Sequence, residues 1–251
     1  KGCTRYGDMY KSRPDFYPVY SPSGREVTCT CAYRYNHHKS IFIGHAKVNG
    51  INFFHDNNHV RDDLGDVLLQ SHETSTTGSS IELKTKNDWT TKAGELFLKE
   101  DRDISWTPGD QVHMLDISSS LVSQIGDIVF ERDNHSYIGI RVADGMDVED
   151  GGRVVNSKGQ ENEEEAMGES ADWLDYSGTV VDKPVGVTLI PHPANPPSSF
   201  FVRNYGTILS NFAYSGPYTL TEGDTLLQRF RIIVHEGTAD DVDINSYLQK
   251  D

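Results

Sequence analysis

The chain has 251 residues, and 38 acidic against 23 basic side chains give it a formal net charge of −15. This length is enough for one large all-β domain with a sizeable core. The charge excludes a bulk nucleic-acid binder, which needs a basic face to replace counterions, and it disfavours docking on an anionic membrane. No apolar run approaches the roughly 18 residues of a membrane helix, so we expect a soluble protein without a membrane span.

The acidic excess is concentrated between Asp144 and Asp175, where eleven acidic and two basic residues give a net charge of −9. Adjacent like charges repel, and the energetic cost of this repulsion is small only in water. Glu161 and the run Glu163–Glu165 therefore predict a solvated loop. The chain begins at Lys1 rather than Met, which is typical of a trimmed chain and favours a periplasmic or secreted location over the cytoplasm.

Short runs rich in β-branched and aromatic residues follow one another along the chain, separated by turn signals such as Asn49-Gly50. In chain order the predicted strands are Glu26–Tyr33, Ser40–Gly44, Asn52–Phe54, Asp66–His72, Ser80–Lys86, Glu95–Glu100, Val112–Ser118, Ile125–Glu131, Ser136–Val142, Val185–Ile190, Phe200–Asn204, Tyr218–Thr221 and Leu226–His235. Helical patterns cover only Asn162–Leu174 and Val242–Gln249. This succession predicts an all-β fold, a β-sandwich or jelly roll, as a single domain over residues 1–251 with few short helices.

The densest group of chemically active side chains runs from Tyr33 to Ser40, and three polar residues follow it: His45, Asn49 and His55. A histidine in such a group can act as a general acid or base near neutral pH. Adjacent residues of a strand point to opposite faces, so one of His37 and His38 faces a given pocket, and the sequence leaves open which. The alternative is a solvated loop with one buried, hydrogen-bonded histidine.

A second group of candidates ends other predicted strands. Prolines on both sides of His192 fix the backbone there, which can aim a side chain, and Asn195 follows closely. Arg203, with Tyr205 next to it, could hold a carboxylate through two parallel hydrogen bonds. Arg141 lies in an apolar strand, so it is either paired in the core or lines a cavity. The alternatives are a turn cap for His192 and a surface ion pair for Arg203.

A third group combines a tryptophan with polar side chains. Trp173, Asp175 and Tyr176 follow one another closely, and Asn156 lies upstream in a glycine-rich stretch. A tryptophan beside hydrogen-bonding groups is typical of sugar sites, although it could equally anchor the edge of the sandwich. Ten histidines are compatible with a divalent metal, but no spacing singles out a set of ligands, so the metal and cofactor stay unknown.

Several longer motifs resemble the so-called PmoA-like family, whose label names a methane oxygenase. They are Arg13–Gly24, His37–His45, Val48–Phe54, the Gly151–Gly159 stretch, Ala171–Gly178, His192–Asn195 and Arg203–Gly206, and they span about residues 13 to 237. The resemblance implies a β-sandwich protein encoded among polysaccharide-utilisation genes, and therefore work on carbohydrates. Where that family usually reads Asp-His-Pro-His-His, this chain has Tyr35-Asn36-His37-His38, so the roles of the missing Asp and first His are not carried over.

Together these features favour a carbohydrate-active lyase or dehydratase that performs β-elimination on a uronic-acid-containing oligosaccharide. A base removes the proton beside the carboxylate, a cation stabilises the enolate-like intermediate, and an acid assists the leaving group. The candidate acid–base residues are His37, His38, His192, Tyr176 and Tyr205. The candidate substrate-binding residues are Lys39, His45, Asn49, Arg141, Asn156, Trp173, Asp175, Asn195 and Arg203, of which Lys39, Arg141 and Arg203 would hold the carboxylate. The mechanism requires no cofactor.

Two other functions stay open on the sequence alone. A glycoside hydrolase would use two carboxylates roughly 5 to 10 Å apart, and Asp172 and Asp175 are the best candidates. A non-catalytic carbohydrate-binding module fits the tryptophan and tyrosine content equally well. In all three cases the expected partner is an oligosaccharide, and the sequence determines neither the sugar nor the oligomeric state.

Overall fold

The computed structural model of this chain describes residues 12–30, 32, 35, 37–55 and 62–249. Within those residues the strands are β1 (Asp15–Phe16), β2 (Ile41–His45), β3 (Gly65–Thr77), β4 (Ser80–Thr91), β5 (Leu96–Thr107), β6 (Val112–Ser123), β7 (Ile128–Phe130), β8 (Ser136–Arg141), β9 (Arg153–Asn156), β10 (Leu174–Val180), β11 (Lys183–Pro191), β12 (Ser199–Arg203), β13 (Thr207–Asn211), β14 (Tyr218–Leu220) and β15 (Thr225–Glu236). The all-β prediction is confirmed. No helix in the described ranges is long and apolar enough to cross a membrane.

The strands form two main antiparallel sheets. One sheet has five strands in the order β1-β2-β8-β13-β12, and the other has eight in the order β3-β4-β5-β6-β15-β11-β10-β9, while β14 pairs with β7. The α-helix of the described chain is α1 (Asn162–Ala166), and short 3₁₀ segments cover Asp144–Met146, Val148–Asp150, Ala239–Asp241 and Ile244–Tyr247.

Successive side chains of a strand point to opposite faces of the sheet, and the five-stranded sheet carries buried apolar residues on both faces. Ile41 and Ile43 of β2 join the main core, to which both sheets contribute. Phe42 between them lies in a second cluster on the opposite face, with Ala46, Phe54, Phe201 and Leu209. We call that opposite face the outer face. The candidate site lies on this outer face.

Three local predictions are wrong. The strand predicted over Asn52–Phe54 is only an isolated bridge between Asn52 and Leu64, followed by a bend. The run from residue 26 forms isolated bridges at Glu26, Thr28 and Thr30 instead of a continuous strand. The helix predicted over Asn162–Leu174 ends at Ala166, because the backbone around Gly168 pairs with Phe200 on β12: the Gly168 amide donates to Phe200 O at 2.8 Å, and the Phe200 amide donates to Glu169 O at 2.8 Å. Tertiary pairing therefore overrides the helical pattern there.

Candidate functional site

Four imidazoles form a row on the outer face of the five-stranded sheet. The ring centroids are 4.4 Å apart for His38 and His37, 4.5 Å for His37 and His55, and 5.0 Å for His55 and His135. The Phe54 ring contacts all four, with centroid distances between 5.2 and 6.4 Å. We call these four histidines the imidazole row.

Both ends of the imidazole row are held through Nδ1. At the buried end, His38 Nδ1 lies 3.0 Å from Thr207 Oγ1 on β13. At the other end, just before β8, His135 Nδ1 lies 2.9 Å from Asp133 Oδ1, and the His135 amide donates to the same oxygen. Burial alone would raise the pKa of Asp133, but its hydrogen bonds from His135 hold that pKa below its usual range. An ionised carboxylate only accepts, so the His135 Nδ1 carries a proton.

The middle of the row is held by a turn and by a buried arginine. Asn52 Oδ1 accepts from the amides of Phe54 and His55 at 3.0 and 2.9 Å, which shapes the turn that carries His55. The buried Arg13 guanidinium donates to the carbonyl oxygens of Phe54 and His37. Arg13 thus ties together the two segments that supply His37 and His55.

Burial keeps the inner imidazoles neutral. It lowers the pKa of His37 to about 2, helped by His55 and Arg13, and it lowers the pKa of His38 further. His38 is 1% exposed, and its Nε2 has no hydrogen-bond partner among the described residues. His37 is only half-buried, so it is the more accessible of the two.

Two tyrosines cover the buried end of the row. The rings of Tyr35 and Tyr205 stack at 4.7 Å, and Tyr205 lies parallel to the His38 ring at 6.0 Å. Burial raises the pKa of Tyr205 to about 12, so its phenol keeps its proton at neutral pH. Tyr205 sits in the turn between β12 and β13, where Gly206 has a φ of +97°, a conformation that glycine adopts at little cost.

Two arginines flank Thr207 across the sheet. Thr207 pairs in register with Arg141 of β8 on one side and with Arg203 of β12 on the other, so each arginine is one strand spacing, about 4.8 Å, from it. Arg141 Nη2 donates to the exposed Asp144 at 2.8 Å, and Arg203 donates to Glu163. The Nε of each arginine is buried without a hydrogen-bond partner in the described part of the chain.

The pairing of Glu163 corrects one prediction. The acidic run was expected to be a solvated loop, but Glu163 lies in the first turn of the short helix α1, bonds Arg203 and accepts from the Asn204 amide at 3.2 Å. One carboxylate of this run therefore helps to fix the turn that carries Tyr205. Of the predicted site residues, the structure brings together His37, His38, Lys39, Arg141, Arg203 and Tyr205.

Tyr176 and Asp175 are both buried on β10 and do not join the imidazole row. The Tyr176 hydroxyl donates to Asn204 O at 2.8 Å and so supports the Tyr205 turn from inside the fold. Asp175 accepts hydrogen bonds from Thr188 at 2.7 Å and from His235 at 2.9 Å, so its carboxylate is engaged and closed to solvent.

Three further candidates have structural partners. His45 is fully buried, its Nε2 lies 2.9 Å from the Glu131 carbonyl oxygen, and burial lowers its pKa to about 4. Asn49 lies in a turn with a φ of 46°, and its Oδ1 accepts from the Val129 amide at 2.7 Å. Asn156 Oδ1 accepts from the amides of the glycine-containing turn that follows it.

The remaining candidates lie elsewhere. Trp173 Nε1 donates to Asn245 Oδ1 at 3.0 Å and so fixes the C-terminal segment. His192 and Asn195 line a separate cavity next to β11. Tyr33, Arg34 and Asn36 of the polar segment lie outside the described residues.

Sequence reasoning missed His135, Asp133 and Arg13 as parts of the site, and it named His55 without assigning it. The Asp-x-His pair directly before the Ser136–Val142 strand was a usable signal, because strand ends often carry site residues. Arg13 had no local signal, since its partners are distant in sequence. Among the described residues, no group of three His, Cys, Asp or Glu side chains is arranged to hold a metal ion.

Comparisons with known proteins match nearly the whole chain to a family without an assigned function. Residues 3–249 match the model of DUF6807, described as a family of unknown function. No curated protein matches the chain. The resemblance to the PmoA-like family stays a prediction.

Three similar solved structures are carbohydrate enzymes by title. GH36 α-galactosidase AgaB from Geobacillus stearothermophilus has a TM-score of 0.48 and 6% identity, covering 92% of this chain and 34% of that one. The galactose mutarotase related enzyme from Lactobacillus acidophilus has a TM-score of 0.41 and 11% identity, covering 86% of this chain and 89% of that one. A β-arabinopyranosidase has a TM-score of 0.42 and 10% identity, covering 81% of this chain and 36% of that one. This chain thus spans about a third of the first and third. Likeness of this extent says nothing about what the chain binds or converts.

Proposed function

This chain belongs to DUF6807, a family of unknown function, and we propose from its site that it is a carbohydrate-active lyase acting on a uronic-acid-containing oligosaccharide. The observation that carries the proposal is an accessible neutral imidazole, His37, in the same site as a protonated tyrosine and two arginines. β-Elimination beside a carboxylate needs these three kinds of group.

His37 is the proposed base. It is half-buried, its ring is neutral, and none of the described residues makes a hydrogen bond to that ring. Its pKa of about 2 makes it a weak base in the free protein, and the negative charge of a bound sugar carboxylate would raise that pKa, so that the ring can accept the proton from the carbon next to the carboxylate. The electron pair of that C–H bond becomes the new C=C bond, and the C–O bond to the leaving group breaks.

Tyr205 is the proposed acid. Its phenol is protonated at neutral pH, and its ring stacks on Tyr35 at 4.7 Å and lies parallel to His38 at 6.0 Å. It gives its proton to the leaving oxygen and regains one from solvent. The stacked tyrosines also offer an apolar face for a sugar ring.

Arg141 and Arg203 are the proposed carboxylate clamp. Each already holds one carboxylate of the protein, and each keeps a buried Nε–H without a partner in the described ranges. A substrate carboxylate between the two guanidinium groups would lower the pKa of the adjacent C–H bond by stabilising the enolate-like charge.

The rest of the imidazole row supplies an exit for the proton. The ring centroids of His37, His55 and His135 follow one another at 4.5 and 5.0 Å, and we propose that the proton leaves along them towards His135, whose side chain is 33% exposed and hydrogen-bonded to Asp133.

The two alternative functions have less support. A hydrolase using Asp172 and Asp175 would need an accessible pair of carboxylates, and Asp175 is fully buried with its oxygens bonded. A binding module without chemistry would have no use for a neutral imidazole beside a protonated tyrosine.

The test is a panel of uronic-acid oligosaccharides, read by the ultraviolet absorbance of unsaturated products and by mass, with and without a chelator. His37→Gln should lower turnover by about 10²- to 10⁴-fold, the usual contribution of a general base. Because the His37 ring makes no hydrogen bond within the described chain, the fold should be unchanged. The matched control is His72→Gln, an exposed histidine on β3.

Turnover of wild-type protein that His37→Gln leaves intact would overturn the assignment of the base. Products of lower mass without new absorbance would replace elimination by hydrolysis. Binding without any product across the panel would replace the enzyme by a binding module.

A further inference from the structure

A second concave surface lies on the eight-stranded sheet, away from the imidazole row. Two adjoining cavities of about 370 and 460 Å³ share His192, Leu248 and Gln249. The first is bounded by the loop between β11 and β12, and the second lies on the outward side chains of β4, β5, β6 and β15. We call the two together the His192 groove.

One wall of the groove is held rigidly. Asn195 Nδ2 donates to Arg229 O at 2.7 Å, and the Arg229 amide donates to Asn195 Oδ1 at 2.8 Å. The His192 amide donates to the same Arg229 carbonyl oxygen at 3.0 Å, and the Ala194 amide donates to His192 Nδ1 at 3.0 Å. Three prolines in this loop add further stiffness. A wall that is already ordered binds a ligand with little loss of conformational entropy.

The charged side chains of the floor are mostly satisfied by one another. Arg231 forms two parallel hydrogen bonds with Asp116, at 2.7 and 2.8 Å, and Asp103 pairs with Lys84 at 2.9 Å. In contrast, Arg229 Nε and Gln249 Oε1 are buried atoms without a hydrogen-bond partner in the described part of the chain. The Arg229 and Gln249 side chains that carry these atoms are only half-buried and line the groove, so a small movement of either side chain would bring its unpaired atom to a bound ligand.

The chemistry of these two atoms indicates hydroxyl groups. A hydroxyl can accept from the guanidinium N–H and donate to the amide oxygen, which a carboxylate or an ammonium group cannot both do. Pro193, Pro197 and Leu248 add apolar surface against which the C–H face of a sugar ring could pack. The lining carries four acidic residues, Glu82, Asp103, Asp116 and Asp172, against two arginines, which opposes an anionic ligand.

We propose that the His192 groove binds a neutral oligosaccharide, independently of the site on the five-stranded sheet. The two surfaces differ in charge, because arginines flank the imidazole row, whereas acidic residues outnumber arginines in the lining of the groove. The protein would then hold a neutral part of a sugar chain on one sheet and act on an acidic unit at the other.

The test is calorimetric titration of wild-type protein with cello-, xylo-, manno- and malto-oligosaccharides of increasing length, and with oligogalacturonate as the anionic probe. Arg229→Ala combined with Gln249→Ala should weaken binding of the preferred neutral chain by at least about tenfold, because it removes a donor and an acceptor that would bond the hydroxyl groups of the ligand. The matched control is Gln111→Ala, in a separate cavity of about 380 Å³. Thermal unfolding checks that each variant folds.

Unchanged binding in His37→Gln would support a groove that is separate from the reaction site, even if no lyase activity is found. Three results would overturn the proposal: no neutral chain binds, the folded Arg229→Ala/Gln249→Ala variant binds as wild type does, or that variant loses oligogalacturonate binding instead.

Discussion

Two polar clusters in this protein differ in how completely they are satisfied. Between the sheets, Arg102 donates through Nε and Nη2 to the two oxygens of Glu100 at 2.6 and 2.7 Å. Trp89 and Ser119 also donate to this carboxylate, at 2.9 and 2.6 Å. Neither charged residue has a buried nitrogen or oxygen without a partner. In the imidazole row, by contrast, the buried His38 Nε2 has no hydrogen-bond partner among the described residues.

Burial is nearly the same in the two clusters, with His38 at 1% exposure, Glu100 at 1% and Arg102 at 2%. Burial alone therefore does not separate a structural network from a candidate site. Completed hydrogen bonds hold the two sheets in one arrangement, whereas neutral rings with unused nitrogens cost stability and are retained where chemistry uses them.

The largest expected effect is on the satisfied cluster. Glu100→Gln should lower the free energy of unfolding by about 3–5 kcal/mol, because it leaves the Arg102 guanidinium buried without its counter-charge. Denaturant unfolding measures this. The double variant Glu100→Leu with Arg102→Met should recover most of the loss, since it removes both charges. A single variant as stable as wild type would erase the distinction between the two clusters.

The next effect is a loss of stability in acid. The folded-state pKa values of His37, His38 and His45 lie below the 6.5 expected when unfolded, because of burial. Below pH 6.5 the unfolded chain therefore binds more protons, and stability should fall by up to about 1.4 kcal/mol per pH unit for each imidazole. His235 has a raised pKa, so its contribution is complete below pH 6.5 and is lost only as pH rises.

Urea unfolding between pH 6.5 and about 5 measures this slope. His38→Gln should reduce the slope by about one proton, because the glutamine does not titrate and can still bond Thr207. An unchanged slope would mean that His38 is protonated in the folded protein.

A smaller effect is expected at the solvent end of the row. His135→Asn should lower turnover of the proposed reaction by about tenfold, and imidazole in the buffer should restore part of it, because it replaces the proton carrier. Loss of turnover without rescue would indicate that His135 only supports the packing around Phe54.

The smallest effect is expected at the support of the Tyr205 turn. Tyr176→Phe removes the hydroxyl that donates to Asn204 O and accepts from the Val148 amide. The expected loss of stability is about 1 kcal/mol, the usual net value of a hydrogen bond, measured as a lower melting temperature. No change would mean that the turn is held by Glu163 alone.

Sequence patterns predicted the strands better than the site. The strand predictions overlap β2, β8, β12 and β15, because each of these strands has one continuous run rich in β-branched and aromatic residues. They missed β13, the strand that carries Thr207, since that run is short and follows a turn closely. The candidate list contained His37, Tyr205, Arg141 and the other clustered residues, but also His45 and Asn156, whose partners are structural.

By itself, the sequence determined the all-β class and the kinds of group available: histidines, tyrosines and arginines at strand ends. It also showed that the acidic excess is concentrated in one stretch. Only the tertiary structure decided which groups meet, because strand register sets Thr207 between Arg141 and Arg203 and brings His135 to His55. Such contacts join residues far apart in the chain, and local patterns carry no information about register between distant strands.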